Sequence, residues 1–285
     1  MGSLDGRVAV ITGAGRGIGR EHALLFAAEG AGVVVNDLGG DENPAQQVVD
    51  EIIAAGGSAV ANTDNVATWD GAKALIDQAV AEFGGLDVLV NNAGILRDAF
   101  IPGLGEAQWD AVIAVHLKGH FAPLHHAAGY WKAQSKAGKQ PTASVINTSS
   151  ASGVTLPNAG QANYGAAKAG IAALTLVAAD ELARYGVRVN AIAPVARTRL
   201  TEATPGFGDI MRSTVEDGVI DLFHPANIAP LVAYLAGEKC PHTGQVFAVQ
   251  GGSIQRLRGW TVAETIETDD PWTIAEVDAR LAEWA

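Results

Sequence analysis

Val8-Ala-Val-Ile-Thr-Gly-Ala-Gly-Arg-Gly-Ile-Gly19 decides how this chain folds. A short β-branched run from Arg7 to Thr12 stops at glycines, and helical periodicity begins at Gly17 and continues to Gly30. Glycines at 13, 17 and 19 let the backbone turn tightly where a strand ends and a helix starts. The helix N-terminus concentrates unpaired N–H groups and positive potential, which suits a pyrophosphate. The spacing is Gly-x-x-x-Gly-x-Gly and departs from the Gly-x-Gly-x-x-Gly dinucleotide fingerprint. A purely structural glycine turn is the competing reading; the strand before and the helix after favour binding.

The same alternation continues outward. Apolar runs at 32–37, 58–62, 86–91, 144–148, 187–193 and 245–250 read as strands, and 44–55, 69–83, 106–136 and 163–185 as helices. Strands apolar on both faces, alternating with helices, indicate a parallel sheet covered on both sides. The expectation is α/β: a single-domain, Rossmann-like, doubly wound seven-stranded parallel sheet with helices on both faces. Residues 1–285 form that one domain, with a core at about 5–253 and a C-terminal extension at 254–285 carrying Trp260, Trp272 and Trp284. An aromatic tail of this kind packs on its own domain or on a neighbouring subunit. Residues 132–142 read as a polar loop. Residues 197–225, with Pro205-Gly206-Phe207-Gly208, read as a lid, because a long connection at strand carboxyl ends is a natural cover.

Charge narrows the partners. The net charge of −12 weighs against nucleic acid, whose phosphates demand a basic surface. The single Cys240 rules out an intrachain disulfide framework and fits a reducing compartment. No basic-then-apolar leader opens the sequence, and the apolar runs break well short of a membrane span. A soluble cytoplasmic protein is expected, with neither nucleic acid nor membrane as partner.

Several residues point to chemistry. Asp37 ends the second strand 18 residues after Gly19. A carboxylate there accepts both hydroxyls of an adenosine ribose and repels a 2′-phosphate, favouring NAD over NADP. A turn aspartate before Gly39-Gly40 is the alternative, and Arg16 is a counterweight as a partner for a 2′-phosphate. Asp64 suits either an adenine amino group or a helix cap. Asn91-Asn92-Ala93-Gly94 closes the fourth strand with small residues that let a ribose pass close, with a plain strand-end turn as the competing reading. In Tyr164-Gly-Ala-Ala-Lys168, a phenol and an ammonium lie one turn apart on one helix face, an arrangement that favours the phenolate.

As a set, these motifs resemble the short-chain dehydrogenase/reductase family, in order from about residue 7 to residue 252. The resemblance implies that Tyr164 is the general base for alcohol oxidation, or the acid for ketone reduction. It implies that Lys168 bonds the nicotinamide ribose and lowers the tyrosine pKa from about 10 toward working pH. Ser150 then donates a hydrogen bond to the substrate oxygen, and Pro194 and Thr198 hold the nicotinamide ring and amide. The implied cofactor contacts are Gly13, Arg16, Gly17, Ile18 and Gly19 in the turn, Asp37 and Leu38, Asp64, Asn65 and Val66, then Asn92, Ala93 and Gly94. No metal is needed, because the hydride passes directly between the ring and the carbinol carbon.

Two departures stand out. Ser150 and Tyr164 enclose 13 residues, one more than is usual in that family. Ser150 is chosen because Ser-x-x-Gly, ending at Gly153, matches the usual surroundings; Ser152 is the fallback and Ser149 the third option. His116 stands where the family has an asparagine that completes a proton relay to the lysine. Trp109, Val112, Ile113, His116, Leu117 and Phe121 form a helical stripe, so His116 is expected to face inward, either as a core residue or beside the relay.

A narrower likeness bears on the substrate. Val35-Asn-Asp-Leu-Gly-Gly-Asp41, Val115-His-Leu-Lys-Gly119 and Gly160-Gln-Ala-Asn-Tyr164 are similar to the (3R)-hydroxyacyl-CoA dehydrogenase domains of peroxisomal multifunctional enzyme type 2. The expectation is an NAD-dependent dehydrogenase of a secondary alcohol, a 3-hydroxyacyl-CoA or a hydroxysteroid-like molecule. A CoA thioester would need local cations, for which Arg97, Arg199, Arg256 and Arg258 are candidates. An NADPH-dependent 3-oxoacyl reductase and a catalytically silent nucleotide-binding scaffold are the alternatives. The resemblance also implies a homotetramer or homodimer.

Overall fold

In the computed structural model, which describes residues 2–40, 42–202 and 221–284, the opening run is strand β1 (Val8–Thr12), buried at all five positions. Helix α1 (Gly17–Ala28) follows the glycine turn, then β2 (Gly32–Asn36), α2 (Pro44–Ala54), β3 (Ser58–Asn62), α3 (Trp69–Phe83) and β4 (Val88–Asn91). The second half runs through α4 (Glu106–Ile113), α5 (Gly119–Lys136), β5 (Ala143–Thr148), α6 (Ala151–Val154), α7 (Ala162–Ala183) and β6 (Val187–Pro194). It ends with α8 (Arg199–Glu202), α9 (Ala229–Ala236), β7 (Val246–Gln250), β8 (Ser253–Leu257) and α10 (Ile274–Leu281).

The strands lie in one sheet, in the order β3-β2-β1-β4-β5-β6-β7-β8. Alternate residues feed opposite cores, since successive side chains on a strand point to opposite faces. Ala9, Ile11, Val33 and Val35 pack with α1, α2 and α9. Val8, Val10 and Val34 pack with α3, α5 and α7. The strand order reverses between β1 and β4, which opens a crevice at their carboxyl ends. Thr12 ties the two strands there. Its hydroxyl accepts from the Asn92 and Ala93 amides at 2.9 and 3.1 Å.

Three expectations need correction. The sheet has eight strands, because β8 pairs antiparallel with β7 (Gln250↔Ser253) beyond the parallel seven. Four of its five residues are exposed, so this edge strand lacks the two-faced apolar signature of the others. The 106–136 helix is three pieces: α4, a π-helical segment at Ala114–Lys118, and α5. The π segment turns the register, so Val112 and His116 are buried while Trp109 and Phe121 are 40% and 43% exposed. Residues 132–136, read both as the end of the long helix and as the start of a polar loop, are helical to Lys136, so the loop begins only after it.

The helix α9 was not anticipated either; it lies against α1. Of the tail's aromatics, Trp260 is fully exposed, while Trp272 and Trp284 are 40% and 45% exposed. Residues 203–220 of the expected lid lie outside the described residues. Among the described residues, no helix is long and apolar enough to cross a membrane.

Candidate active site

Close backbone approach makes the floor of the crevice. Gly13 has φ +62°, and a Cβ there would sit 2.7 Å from the Ala93 Cα. Gly17, at φ +56°, would aim a Cβ across the cleft at Thr198. No side chain caps the start of α1, so its first N–H groups are free for an anion. Gly13, Arg16, Gly17 and Ile18 line the cleft. Gly19 does not. It lies beneath the turn, where a Cβ would meet the Gly13 carbonyl at 2.3 Å, so its smallness serves helix-to-strand packing.

Asp37 and Leu38 line one end of the cleft, with Asp64, Asn65 and Val66 beside them. One Asp37 oxygen accepts from the Gly15 amide at 2.9 Å, which fixes the carboxylate against the glycine turn. Arg16 pairs with Glu42. The Asp64 carboxylate accepts from Asn62 at 2.7 Å. It does not cap α3; Thr68 does, accepting from the Gly71 amide at 3.1 Å.

At the other end stand Asn92, Ala93, Gly94, His116, Tyr164, Lys168, Pro194 and Thr198. The Lys168 ammonium nitrogen lies 5.5 Å from the Tyr164 ring centre and donates to the Thr148 carbonyl at 2.5 Å. Burial pushes the lysine pKa down to about 7. Burial also raises the Tyr164 phenol above its ordinary value, while the Ser150 hydroxyl pulls it down.

The three serines separate cleanly. Ser149 is buried and donates to the Lys168 carbonyl at 2.8 Å. Ser152 donates to Gln161 at 3.1 Å. Ser150 sits at the N-cap of α6 and keeps its hydroxyl beside Tyr164. His116 faces inward as expected. Its Nε2 lies 2.8 Å from the Ile95 carbonyl and 3.0 Å from the Ile95 amide, and its ring meets Tyr164 edge-on at 5.1 Å. Gly94 makes room for that ring, since a Cβ would come within 2.6 Å of it.

A second, apolar hollow opens beside Tyr164. Ser150, Leu96, Leu156, Pro157, Val195 and Leu200 line it, and it shares Tyr164, Pro194, Leu200 and Thr201 with the cleft. Gln161, missed in the sequence, ties its wall together by donating to Asp98 at 2.8 Å. Thr201 was missed as well; its hydroxyl accepts from the Thr198 amide at 2.8 Å. The Thr-x-x-Thr spacing was its one legible signal. Of the four candidate arginines, Arg199 lines the cleft and Arg97 follows Leu96 at the pocket. Arg256 lies on the exposed edge strand β8, and Arg258 just beyond it.

Comparison with known proteins agrees with this geometry. The short chain dehydrogenase family profile matches residues 7–205. A hydroxyacyl-CoA dehydrogenase of Mycobacterium tuberculosis is 43% identical, over 99% of this chain and 89% of its own. The peroxisomal multifunctional enzyme type 2 of Drosophila melanogaster is 44% identical over 96% of this chain, which spans 44% of that enzyme. A short chain dehydrogenase from Mycobacterium avium superposes with a TM-score of 0.89 at 51% identity, over 99% of this chain and 95% of the other. The chain belongs to the short chain dehydrogenase family and is an oxidoreductase acting on CH–OH donors.

Proposed function

We propose that the protein oxidises a secondary alcohol with NAD, the alcohol being a 3-hydroxyacyl-CoA or a hydroxysteroid-like molecule. One observation carries this reading: Tyr164, with Ser150 beside it and Lys168 behind it, stands where the long cleft joins the apolar hollow. The residues fit a dinucleotide, because the cleft runs over the uncapped start of α1, where a side chain at Gly17 would project across it toward Thr198. Gly13, Gly17 and the start of α1 would hold the pyrophosphate, Asp37 the adenosine ribose, and Asn92 to Gly94 with Lys168 the second ribose. Pro194 and Thr198 would hold the nicotinamide. NAD is favoured because the Asp37 carboxylate lines the cleft and would repel a 2′-phosphate, while Arg16, the cation that could meet one, is paired with Glu42.

When bound, the dinucleotide supplies the hydride acceptor. Tyr164 takes the hydroxyl proton, and Ser150 donates a hydrogen bond to the same oxygen. Lys168 anchors the ribose and, when charged, stabilises the phenolate. The Ser150 hydroxyl pulls down the Tyr164 pKa that burial raises, and a charged Lys168 would favour the phenolate further.

The apolar lining suits an acyl chain or a fused-ring skeleton, and one relative carries hydroxyacyl-CoA dehydrogenase as its name. Arg199 and Arg97 are the candidate partners for CoA phosphates. The chain acts as one domain of residues 1–285, with a core at 5–253, a lid at 197–225 and an extension at 254–285. The exposed tail residues Trp260, Val262 and Ile274 favour a homodimer or homotetramer that covers them. The free, buried Cys240 suits a reducing cytoplasm. A screen of NAD reduction against hydroxyacyl-CoAs of graded chain length and hydroxysteroids tests the substrate. Activity on neither class, with turnover of a small polar alcohol, would contradict the reading.

A further inference from the structure

Helix α7 starts without a carboxylate of its own. Its N-cap, Gln161, makes no side-chain cap bond, and no acidic residue lies in its first turn. Tyr164 sits in that turn, where the positive end of the helix favours a phenolate. The loop after β4 brings the missing charge. Gln161 Nε2 donates to one Asp98 oxygen at 2.8 Å. The Ala99 amide donates to the Gly160 carbonyl at 2.9 Å, and Ala99 and Gln161 form a parallel β-bridge. Asn163 fastens the same loop: its side chain donates to the Arg97 carbonyl at 3.0 Å and accepts from the Tyr164 amide at 2.8 Å. Ser152 donates to Gln161 at 3.1 Å, which ties α6 into the brace. These bonds hold Asp98 against the turn that carries Tyr164.

The charge is left largely unspent. The second Asp98 oxygen, Oδ1, is buried without a hydrogen-bond partner in the protein, and among the described residues Asp98 forms no ion pair. Its neighbour Arg97 is exposed and donates to the Leu96 carbonyl at 2.7 Å. A carboxylate in a part-buried wall acts through a lower dielectric than one in water. We propose that Asp98 is a positioning residue for the alcohol chemistry: braced to the start of α7 through Gln161, its carboxylate biases Tyr164 toward the protonated phenol. Burial is the largest influence on that phenol and raises its pKa; the Ser150 hydroxyl lowers it, and the Asp98 charge raises it again. Lys168 is depressed by burial alone, so Asp98 acts on one member of the tyrosine–lysine pair. The other ionisable groups facing Tyr164 are Lys168, 5.5 Å from its ring centre, His116, kept neutral by burial, and Arg199 in the cleft wall. A phenol held protonated serves ketone reduction near neutral pH and makes oxidation wait for higher pH. That catalytic consequence rests on the dehydrogenase reading above; the action of Asp98 on Tyr164 does not.

The test uses the full chain and two readouts. Asp98→Asn keeps an oxygen for Gln161 and removes the charge. The acid limb of kcat/KM for alcohol oxidation should move to lower pH. One pH unit below the wild-type midpoint the rate should rise by about three- to tenfold, while the rate above the limb does not rise. Asp98→Ala also removes the brace; it should shift the limb the same way, melt lower and raise KM. A limb that stays in place or moves to higher pH in Asp98→Asn overturns the proposal. So does a change seen only in Asp98→Ala, which would make Asp98 a packing residue. The second readout needs no substrate. Near-ultraviolet absorbance follows phenolate formation, and subtracting the same titration of Tyr164→Phe isolates Tyr164. Its phenolate should form at lower pH in Asp98→Asn than in the wild type; coincident titrations overturn the proposal whether or not any alcohol is turned over. A displaced titration without dehydrogenase activity would reject the dehydrogenase reading and leave the action of Asp98 standing.

Discussion

The Asp37 end and the Lys168 end of the cleft work by opposite physics. Asp37 is half-exposed, Leu38 is 56% exposed and the Arg16–Glu42 pair sits in solvent. Charges there are screened by solvent. At the other end Lys168 is 2% and His116 1% exposed. Their pKa values fall to about 7 and about 3 because burial disfavours the charged form. On the proposed function, one end would select by charge complementarity at an exposed surface, and the other would prepare proton transfer in a buried one. Substitutions should therefore act on preference at the first and on turnover at the second.

The largest effect belongs to the dry end. Tyr164→Phe should lower kcat by about 10²- to 10⁴-fold, with NAD affinity by calorimetry nearly unchanged. A comparable loss of NAD binding would mean that the tyrosine holds the cofactor and does not do the chemistry.

At the wet end, Asp37→Ser should leave kcat with NAD within a few-fold and shift the NAD-to-NADP ratio of kcat/KM by about tenfold to a hundredfold. That is the span of a lost charge-assisted hydrogen bond. Unchanged discrimination would show that Asp37 does not read the ribose.

Burial also sets a pH signature of stability. His22 and His116 have folded pKa values of about 3 against an ordinary 6.5. Between those values the unfolded chain binds more protons, so stability falls as pH drops from 6.5 toward 3. Lys168 adds the same sign higher up, with stability falling as pH drops from 10.5 to about 7. Melting curves from pH 8 to 4 should show the acid loss, and His22→Leu, far from the chemistry, should flatten it. A melting temperature independent of pH below 6.5 would contradict the buried neutral histidines.

The smallest effect is expected at the Arg16–Glu42 pair. Glu42→Ala should change stability by less than about 1 kcal/mol, as for other exposed ion pairs, while slightly easing the use of NADP. A large stability loss on denaturant titration would show that this end is less wet than its exposure implies.

The difference between the ends also explains what the sequence disclosed. The glycine turn, Asp37 and the Tyr164–Lys168 pair are local patterns, where strand, turn and helix fix the geometry within a few residues. The buried parallel strands read equally well, because both faces are apolar. β8 did not, since four of its five residues face solvent and its pairing with β7 is all that makes it a strand. The π segment was invisible because the apolar spacing from Glu106 to Phe121 suits a plain α-helix. The choice among Ser149, Ser150 and Ser152 likewise depended on partners distant in sequence, Lys168 and Gln161.

The most direct test compares two initial rates on one preparation: NAD reduction with a 3-hydroxyacyl-CoA, and NADPH oxidation with the matching 3-oxoacyl-CoA. With Asp37 and Glu42 at the wet end and Tyr164 and Lys168 at the dry end, the NAD-linked oxidation should far exceed the NADPH-linked reduction. A faster NADPH reaction would contradict the account, and would make the protein a reductase whose cofactor is not read by Asp37.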